Sequence, residues 1–529
     1  MKLRKIVIVT AVAGLGLATG GWLLQHEAAP SGSVYQQARL FEDVLAHVAD
    51  YYVDSIDERR LYELAIDGML DQLHDPYSVF LKRDDFKALN EATTGNYGGL
   101  GIQIEVRDGW ITVVAPLPDT PAERAGVQTG DQIVALDGHS TEGWKQDQAV
   151  KELRGEAGSP VELRVHRVGI EQALTFKLTR AVIHVRSVQV ATMLDDKVGY
   201  VLLTPVSEKS APELSQAVDS LLKKGMKSLL LDLRGNPGGL LSEGVGVADK
   251  FLKKGQLIVS HHGRASAEKR YIAQHGNGGK EYPVVVLVNR LTASAAEIVS
   301  GAIQDHDRGL IAGEVTFGKG LVQTVYPLSE NTGLALTTAH YYTPSGRLIQ
   351  RDYSNISLYD YYYNRDSAET SNTANREVKL TDSGRTVYGG GGITPDVNVP
   401  PVKSNHFQDT LLQHYAFFNF AKRYVVSHKP TKSFEVDDAT MQEFRKSLDE
   451  ANIAYTQADL LDNNDWIRSN IKSEIFVDAF GQDEGMKVRA ESDPQVVKGL
   501  ELLPQAKALA DNARKIVAEH NAAPAFNRQ

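Results

Sequence analysis

Between residues 182 and 402, four short apolar runs at 199–203, 228–233, 284–289 and 310–313 alternate with stretches of helical spacing at 211–224 and 295–305. An apolar run of this length with no polar alternation fits a strand buried on both faces. Strands of that kind separated by helices predict an α/β layer architecture. A polar, tyrosine-rich segment at 354–386 interrupts the pattern and reads as a surface insertion.

The rest of the chain has a different texture. A length of 529 residues exceeds one compact domain. From 97 to 181 the turns Asp108-Gly109 and Asp137-Gly138 separate strand-like segments at 102–106, 110–115 and 131–136. Segments 161–167 and 173–178 form a last pair, and 121–125 and 143–153 have helical spacing. Residues 34–96 are helical, with Leu40, Val44, Leu45, Val48 and Tyr51 three and four apart. Residues 403–529 are helical and charged, with helices expected at 410–424, 437–452 and 494–520. The expected fold is multidomain α+β. It has an α/β core at 182–402, a β-rich domain at 97–181 inserted before it, and helical regions at 34–96 and 403–529.

Residues 1–30 carry a targeting signal. Lys2, Arg4 and Lys5 precede residues 6–25, which hold no charge. A basic head followed by an apolar stretch is an export signal, and twenty uncharged residues also span a bilayer. The expectation is therefore export to the cell envelope, soluble after cleavage or anchored by the N-terminal segment. The absence of cysteine excludes a cysteine nucleophile, thiolate metal sites and disulfides. A net charge of −10 argues against nucleic acid as a partner.

Three segments could carry chemistry. Ser294, in Thr292-Ala293-Ser294-Ala295-Ala296-Glu297-Ile298, follows an apolar strand and opens a helix. Small neighbours leave room for a substrate backbone, and the helix N-terminus offers free N–H donors to a developing oxyanion. A serine there is equally a common helix cap. Lys319, in Phe317-Gly318-Lys319-Gly320-Leu321-Val322-Gln323, sits between glycines beside apolar residues. Apolar surroundings disfavour the ammonium form and suit a lysine that accepts a serine proton. The segment lacks the GxxxxGK[ST] spacing of a phosphate-binding loop. The turn Asp232-Leu233-Arg234-Gly235-Asn236-Pro237-Gly238-Gly239 ends a strand and exposes backbone amides suited to an anion. A histidine base, His262 or His306, is the rival reading.

Together these motifs resemble the S41 family of carboxy-terminal processing, or tail-specific, serine peptidases. The likeness runs from about Val34 to Val402 and includes Tyr342-Thr343-Pro344-Ser345-Gly346-Arg347 and Gly392-Ile393-Thr394-Pro395-Asp396. The resemblance implies an endopeptidase with Ser294 as nucleophile, Lys319 as general base and Gln323 orienting the lysine. It places the oxyanion hole at Ala295 with Gly238 or Gly239, and gives Glu297 and Asp305 supporting or structural roles. The domain at 97–181 resembles a PDZ domain through Gly99-Leu100-Gly101-Ile102 and Gly130-Asp131-Gln132-Ile133. Gly99, Leu100, Gly101 and Ile102 would then hold a peptide carboxylate. The family likeness further implies a bacterial periplasmic or envelope enzyme acting on proteins with accessible C-termini. It implies no metal or cofactor, a homo-oligomer, and an activating adaptor. A catalytically silent PDZ scaffold is the alternative from another class, and the complete Ser294, Lys319 and Gln323 set argues against it.

Overall fold

The computed structural model describes residues 31–195, 197–354, 357–362 and 376–522. Residues 1–30, on which the export expectation falls, lie outside the described residues. The chain divides between Phe80 and Leu81 into two compact units. In the first, α1 (Ser31–Tyr51) and α2 (Glu58–Asp71) are amphipathic helices. Asp57 caps α2 by accepting from Arg60 N–H at 3.0 Å. Leu45, Leu61 and Leu70 are buried, whereas Tyr35, Leu40, Phe41 and Val44 stay exposed.

The second unit opens with α3 (Arg83–Thr94) and β1 (Asn96–Gly99). A small β-rich domain follows: β2 (Ile102–Arg107), β3 (Trp110–Pro116), α4 (Pro121–Arg124), β4 (Gln132–Leu136), β5 (His139–Ser140), α5 (Gln146–Leu153), β6 (Pro160–His166) and β7 (Leu174–Thr179). Its sheet runs β2-β3-β4-β6-β7, with β5 paired to β4. Ile111, Val113, Ile133, Leu163 and Val165 alternate inward to form its core. Strand β8 (Ala181–His184) pairs antiparallel with β1, so the chain enters and leaves this domain on one two-stranded ribbon.

The α/β core is as the alternation of apolar runs requires. Strands β9 (Val188–Met193), β10 (Val198–Leu203), β11 (Ser228–Asp232), β14 (Val284–Val288), β15 (Leu310–Gly313) and β20 (Val397–Asn398) form one sheet in the order β9-β10-β11-β14-β15-β20. Only the β9–β10 pair is antiparallel. Helices α6 (Ser210–Lys223), α7 (Leu241–Asp249) and α8 (Ala295–Asp305) cover one face through Leu214, Val247, Val299 and Ala302. All eleven residues of α8 are buried.

A second, antiparallel sheet of β12 (Leu257–Gly263), β13 (Ser266–Ile272), β16 (Leu321–Pro327) and β17 (Gly333–Tyr342) flanks it. Periodicity did not reveal these strands. Strand β13 exposes nearly every residue and reads Ser-Ala-Glu-Lys-Arg-Tyr-Ile, with no apolar face to detect.

Segment 354–386 is more than a surface insertion. Its helix α9 (Leu358–Tyr362) buries Tyr361, whose ring stands edge-on to Phe317 at 5.4 Å. The hairpin of β18 (Val378–Leu380) and β19 (Thr386–Tyr388) is tied down by Arg385, which bonds Asp307 and Asp396 at 2.6 Å each.

The helical C-terminal region comprises α10 (His406–Gln413), α11 (Ala416–His428), α12 (Asp438–Glu450), α13 (Gln457–Asp462), α14 (Asn464–Phe480), α15 (Gln482–Ser492), α16 (Pro494–Glu501) and α17 (Leu503–Ala522). The single helix expected at 410–424 is two. Tyr415, between them, is left-handed, its hydroxyl donates to Glu105 Oε1 at 2.8 Å, and Arg107 lies 4.3 Å over its ring. A tertiary contact with β2 thus accompanies the break. The helix expected at 494–520 also breaks, at Leu502. Its two parts cover the other face of the central sheet, with Val496, Leu503 and Ala506 against Leu230, Val285 and Leu287.

A cleft of about 630 Å³ runs between the β-rich domain and α11, α14 and α15. Burial pushes the Asp478 carboxyl on its wall up to about 6, with Lys422 opposing and Glu474 and Asp131 adding repulsion. A raised carboxyl favours the folded state when protonated. That contribution is complete below the ordinary value near 3.8 and is lost as pH rises through about 6. Asp478→Asn, neutral throughout, is expected to stabilise the protein by about 1–2 kcal/mol above neutral pH and to flatten the pH dependence of melting across this window. Thermal melts of both proteins from acid to mildly alkaline pH check it.

Candidate active site

The residues singled out in the sequence leave the central sheet at the C-terminal ends of neighbouring parallel strands. The turn carrying Gly238 follows β11, Ser294 follows β14, and Lys319 follows β15. Such strand ends are where open α/β sheets build their sites.

Ser294 has φ 54° and ψ −120°, a conformation costly for a residue with a β-carbon. Its surroundings enforce it. Ala293 N–H donates to Asn236 O at 2.9 Å, and Thr292 Oγ1 donates to Leu233 O at 2.8 Å. Gly235 N–H donates to Asn289 Oδ1 at 2.9 Å, and Phe317 N–H donates to Thr292 O at 2.9 Å. The serine turn is thereby stitched to both the glycine turn and the lysine loop.

The glycine turn comes very close. A β-carbon on Gly238 would stand 2.7 Å from Ser294 Cβ and 2.8 Å from Ala295 N, and one on Gly239 would stand 1.8 Å from Val206 O. With φ of 87° and 148°, neither position tolerates a side chain. Asn236, fully buried, sets the turn: its Nδ2 donates to Leu203 O at 2.7 Å and its Oδ1 accepts from Gly238 N–H at 2.9 Å. Gly238 N–H is therefore engaged. Ala295 N–H, first in its helix, has no intrahelical acceptor. It and Gly239 N–H have no hydrogen-bond acceptor among the described residues. Arg234 braces the turn by bonding Asp232 at 2.6 Å and Asp493 at 2.9 Å.

Glu297 joins the serine to the lysine. Its carboxylate is fully buried in the first turn of α8. Oε2 accepts from Ser294 N–H at 2.8 Å and from Lys319 N–H at 2.9 Å. Oε1 accepts from Gly318 N–H at 2.8 Å and from Thr316 Oγ1 at 2.5 Å. Thr316 Oγ1 in turn accepts from Ile393 N–H at 2.6 Å, which directs its own proton to Glu297. Sharing one oxygen brings the Ser294 and Lys319 amide nitrogens within ~6 Å. Burial pushes the Glu297 carboxyl up, and the four donors pull against it.

Lys319 Nζ donates to Gln323 Oε1 at 2.6 Å. Gln323 lies in β16, so the four-residue step between them is a strand spacing and not a helical turn. Ser294, Lys319 and Gln323 are each half-buried.

Asp305 is not brought to this site. It lies at the other end of α8, ~15 Å along the helix from Ser294. There it binds the fully buried Arg347 at 2.7 Å and accepts from Ser345 N–H at 3.0 Å. His306 is at the same end, with its ring engaged by Asp382 and Leu257 O at 2.7 Å each. His262 is stacked on Tyr342 with ring centroids 4.6 Å apart.

In the β-rich domain Gly99 ends β1, Leu100 is buried, Gly101 O accepts from Leu117 N–H at 2.9 Å, and Ile102 begins β2. Strand β2 is an edge of its sheet. Helix α5 lies beside it, where Gln146 Nε2 donates to Ile104 O at 3.3 Å. An edge strand flanked by a helix is a groove that can add a peptide as a further strand.

Sequence reasoning assigned no role of their own to Asn236 and Thr316, whose partners lie up to 77 positions away in the chain.

The sequence compares closely with known peptidases. A model of peptidase family S41 matches residues 197–356, and a PDZ domain model matches 112–167. Models of the activating protease CtpB N-terminal domain and of a C-terminal helical domain of probable PDZ-proteases match 23–85 and 407–459. A carboxy-terminal-processing protease of Bartonella bacilliformis is 39% identical over 354 residues, covering 66% of this chain and 80% of that one. The chain belongs to the S41 family of carboxy-terminal processing proteases. The family member CtpA of Bacillus subtilis is 35% identical over 368 residues, covering 66% of this chain and 75% of that one. The solved photosystem II D1 C-terminal processing protease is 32% identical, with a TM-score of 0.37 over 67% of this chain and 85% of that one. This S41 protein is thus a serine peptidase with a PDZ domain between helical and α/β regions, and the bacterial relatives named here share its class.

Proposed function

We propose that this peptidase is exported, captures the C-terminus of a protein or peptide in its PDZ groove, and cleaves upstream by a Ser294–Lys319 acyl-enzyme mechanism. The observation that carries the reading is the single Glu297 oxygen that accepts from the amides of both Ser294 and Lys319. It fixes the two main chains together.

In the first step Ser294 Oγ attacks the scissile carbonyl carbon while its proton passes to the unprotonated Lys319 amine. The carbonyl π pair moves onto oxygen, and the amides of Ala295 and Gly239 receive it. Gly238 supplies the close approach and leaves its own N–H on Asn236. Collapse breaks the C–N bond, and the lysine proton goes to the leaving amine. Water then attacks the ester, its proton passing through Lys319 back to Ser294 Oγ as the new acid leaves. Gln323 Oε1 holds the lysine amine in place, and Glu297 holds the two main chains.

Gly99, Leu100, Gly101 and Ile102 would bind the substrate carboxylate, with β2 and α5 forming the groove. The functional divisions are 34–96, 97–181, 182–402 and 403–529. The uncharged stretch at 6–25 supports export to a bacterial periplasm or envelope, as a cleaved signal or an inner-membrane anchor. The exposed apolar residues of α1 and the CtpB N-terminal match support a homo-oligomer and an activating adaptor.

Ser294→Ala is expected to remain folded and to bind a C-terminal peptide while losing ~10⁴-fold or more in hydrolysis of an unstructured protein. Anisotropy of a labelled peptide and a gel-based cleavage assay check the two halves. Hydrolysis at the parent rate contradicts the proposal.

A further inference from the structure

We propose that Tyr341 is a positioning residue of the acylation step, its hydroxyl holding the main-chain carbonyls of Ser294 and Lys319 while Glu297 holds their amides. The inference rests on the Ser–Lys reading above. Glu297 accepts from the N–H groups of both residues. Tyr341 Oη has one proton, which it shares between the C=O groups of the same two, at 2.5 Å from Lys319 O and 3.1 Å from Ser294 O. Nucleophile and base are thus gripped at both ends of their own residues by two buried side chains.

Tyr341 is well placed to do this. It lies in β17, its own N–H donates to Gly320 O at 2.9 Å, and its ring belongs to the buried cluster that packs α8 against the central sheet. Only 1% of the residue is exposed. The ring therefore has one orientation, and its hydroxyl marks a fixed point 22 residues from Lys319 and 47 from Ser294 in sequence. Burial, and then Glu297, push its phenol well above the ordinary value, so the group stays a donor.

Ser294 O has other donors in the helix, from Glu297 N–H at 2.8 Å and Ile298 N–H at 3.1 Å. Ser294 O is therefore held by its own helix as well as by Tyr341. Without the hydroxyl, the Lys319 carbonyl loses its bond to Tyr341, and the base is freed to shift from the serine. A displacement of about 1 Å costs on the order of a hundredfold in rate.

The test is Tyr341→Phe in the full chain, which keeps the ring and removes one oxygen. Rates are read at a temperature where melting curves show every variant folded. Acylation and kcat are expected to fall about tenfold to a hundredfold, with KM changed less than about threefold. Amide hydrogen exchange at 318–321 should quicken while that of β14 stays unchanged. A structural role alone would loosen both segments and leave the acylation rate of the folded fraction intact. Acylation within twofold of the parent, or exchange that rises equally in β14, overturns the proposal. Lys319→Ala is run beside it. If Lys319→Ala acylates normally, the Ser–Lys reading and this inference both fall. If it is inert while Tyr341→Phe acylates normally, only Tyr341 loses its role.

Discussion

Lys319→Ala is expected to leave a folded protein whose acylation is slower by ~10⁴-fold or more, about as damaging as losing the serine itself. The size follows from the proposed division of labour. A serine hydroxyl is a poor nucleophile until a base removes its proton during attack. Among the described residues of the site no other base is poised: Glu297 is saturated by four donors, and His306 stands at the far end of α8 with both ring nitrogens engaged. Lys319→Arg should fare no better. A guanidinium keeps its charge at any accessible pH and cannot accept the proton. Stability should change little, because Lys319 is half-buried and the loop is held through its main chain. Stopped-flow acylation with an activated ester, together with thermal melts, checks both parts.

Glu297→Gln is expected to lose both stability and activity, although it keeps the size and shape of the side chain. Each carboxylate oxygen accepts from two donors. An amide NH₂ in place of either oxygen points donors at donors. Placed at Oε2, it opposes the amides of Ser294 and Lys319. Placed at Oε1, it opposes Gly318 N–H and the Thr316 hydroxyl, which Ile393 N–H already constrains. A buried donor left unpaired costs about 1–3 kcal/mol, and more when the lost acceptor was charged. A destabilisation of about 3 kcal/mol and a fall in kcat of about a hundredfold are expected, the second because the Ser294–Lys319 spacing is released. Glu297→Asp should behave similarly, since a side chain one carbon shorter cannot span Ser294 and Lys319. Equilibrium unfolding and steady-state kinetics separate the two losses.

How much of this was legible depended on where the physics is local. Strands β10, β11, β14 and β15 are buried on both faces, so each announces itself as an unbroken apolar run. Strands β13 and β16 are half exposed or more, and polar residues erase the signal. The break at Tyr415 was invisible because it accompanies contacts with Glu105 and Arg107, about 300 positions upstream. At the site, Ser294, Lys319 and Gln323 carry motif and spacing, and the fold links the main chains of the first two through Glu297 and the side chains of the last two directly. In sequence Glu297 carries only the supporting or structural role that the family resemblance implies. Its acceptance from Gly318 and Lys319 exists only once β15 delivers the lysine loop to α8. Asp305 looked equivalent in sequence, yet it faces Arg347 at the opposite end of the helix. Tyr341 adjoins a family motif, but nothing along the chain says that its hydroxyl reaches Lys319 O.

The central claim is that Ser294 is acylated with Lys319 as its base. The most direct measurement treats the full chain and its Ser294→Ala, Lys319→Ala and His306→Ala variants with a labelled acylating probe, then maps the label by peptide mass spectrometry. The account predicts label on Ser294 in the parent and in His306→Ala, and none in Ser294→Ala or Lys319→Ala over the same time. Label on another residue, or normal labelling of Ser294 in Lys319→Ala, would contradict it.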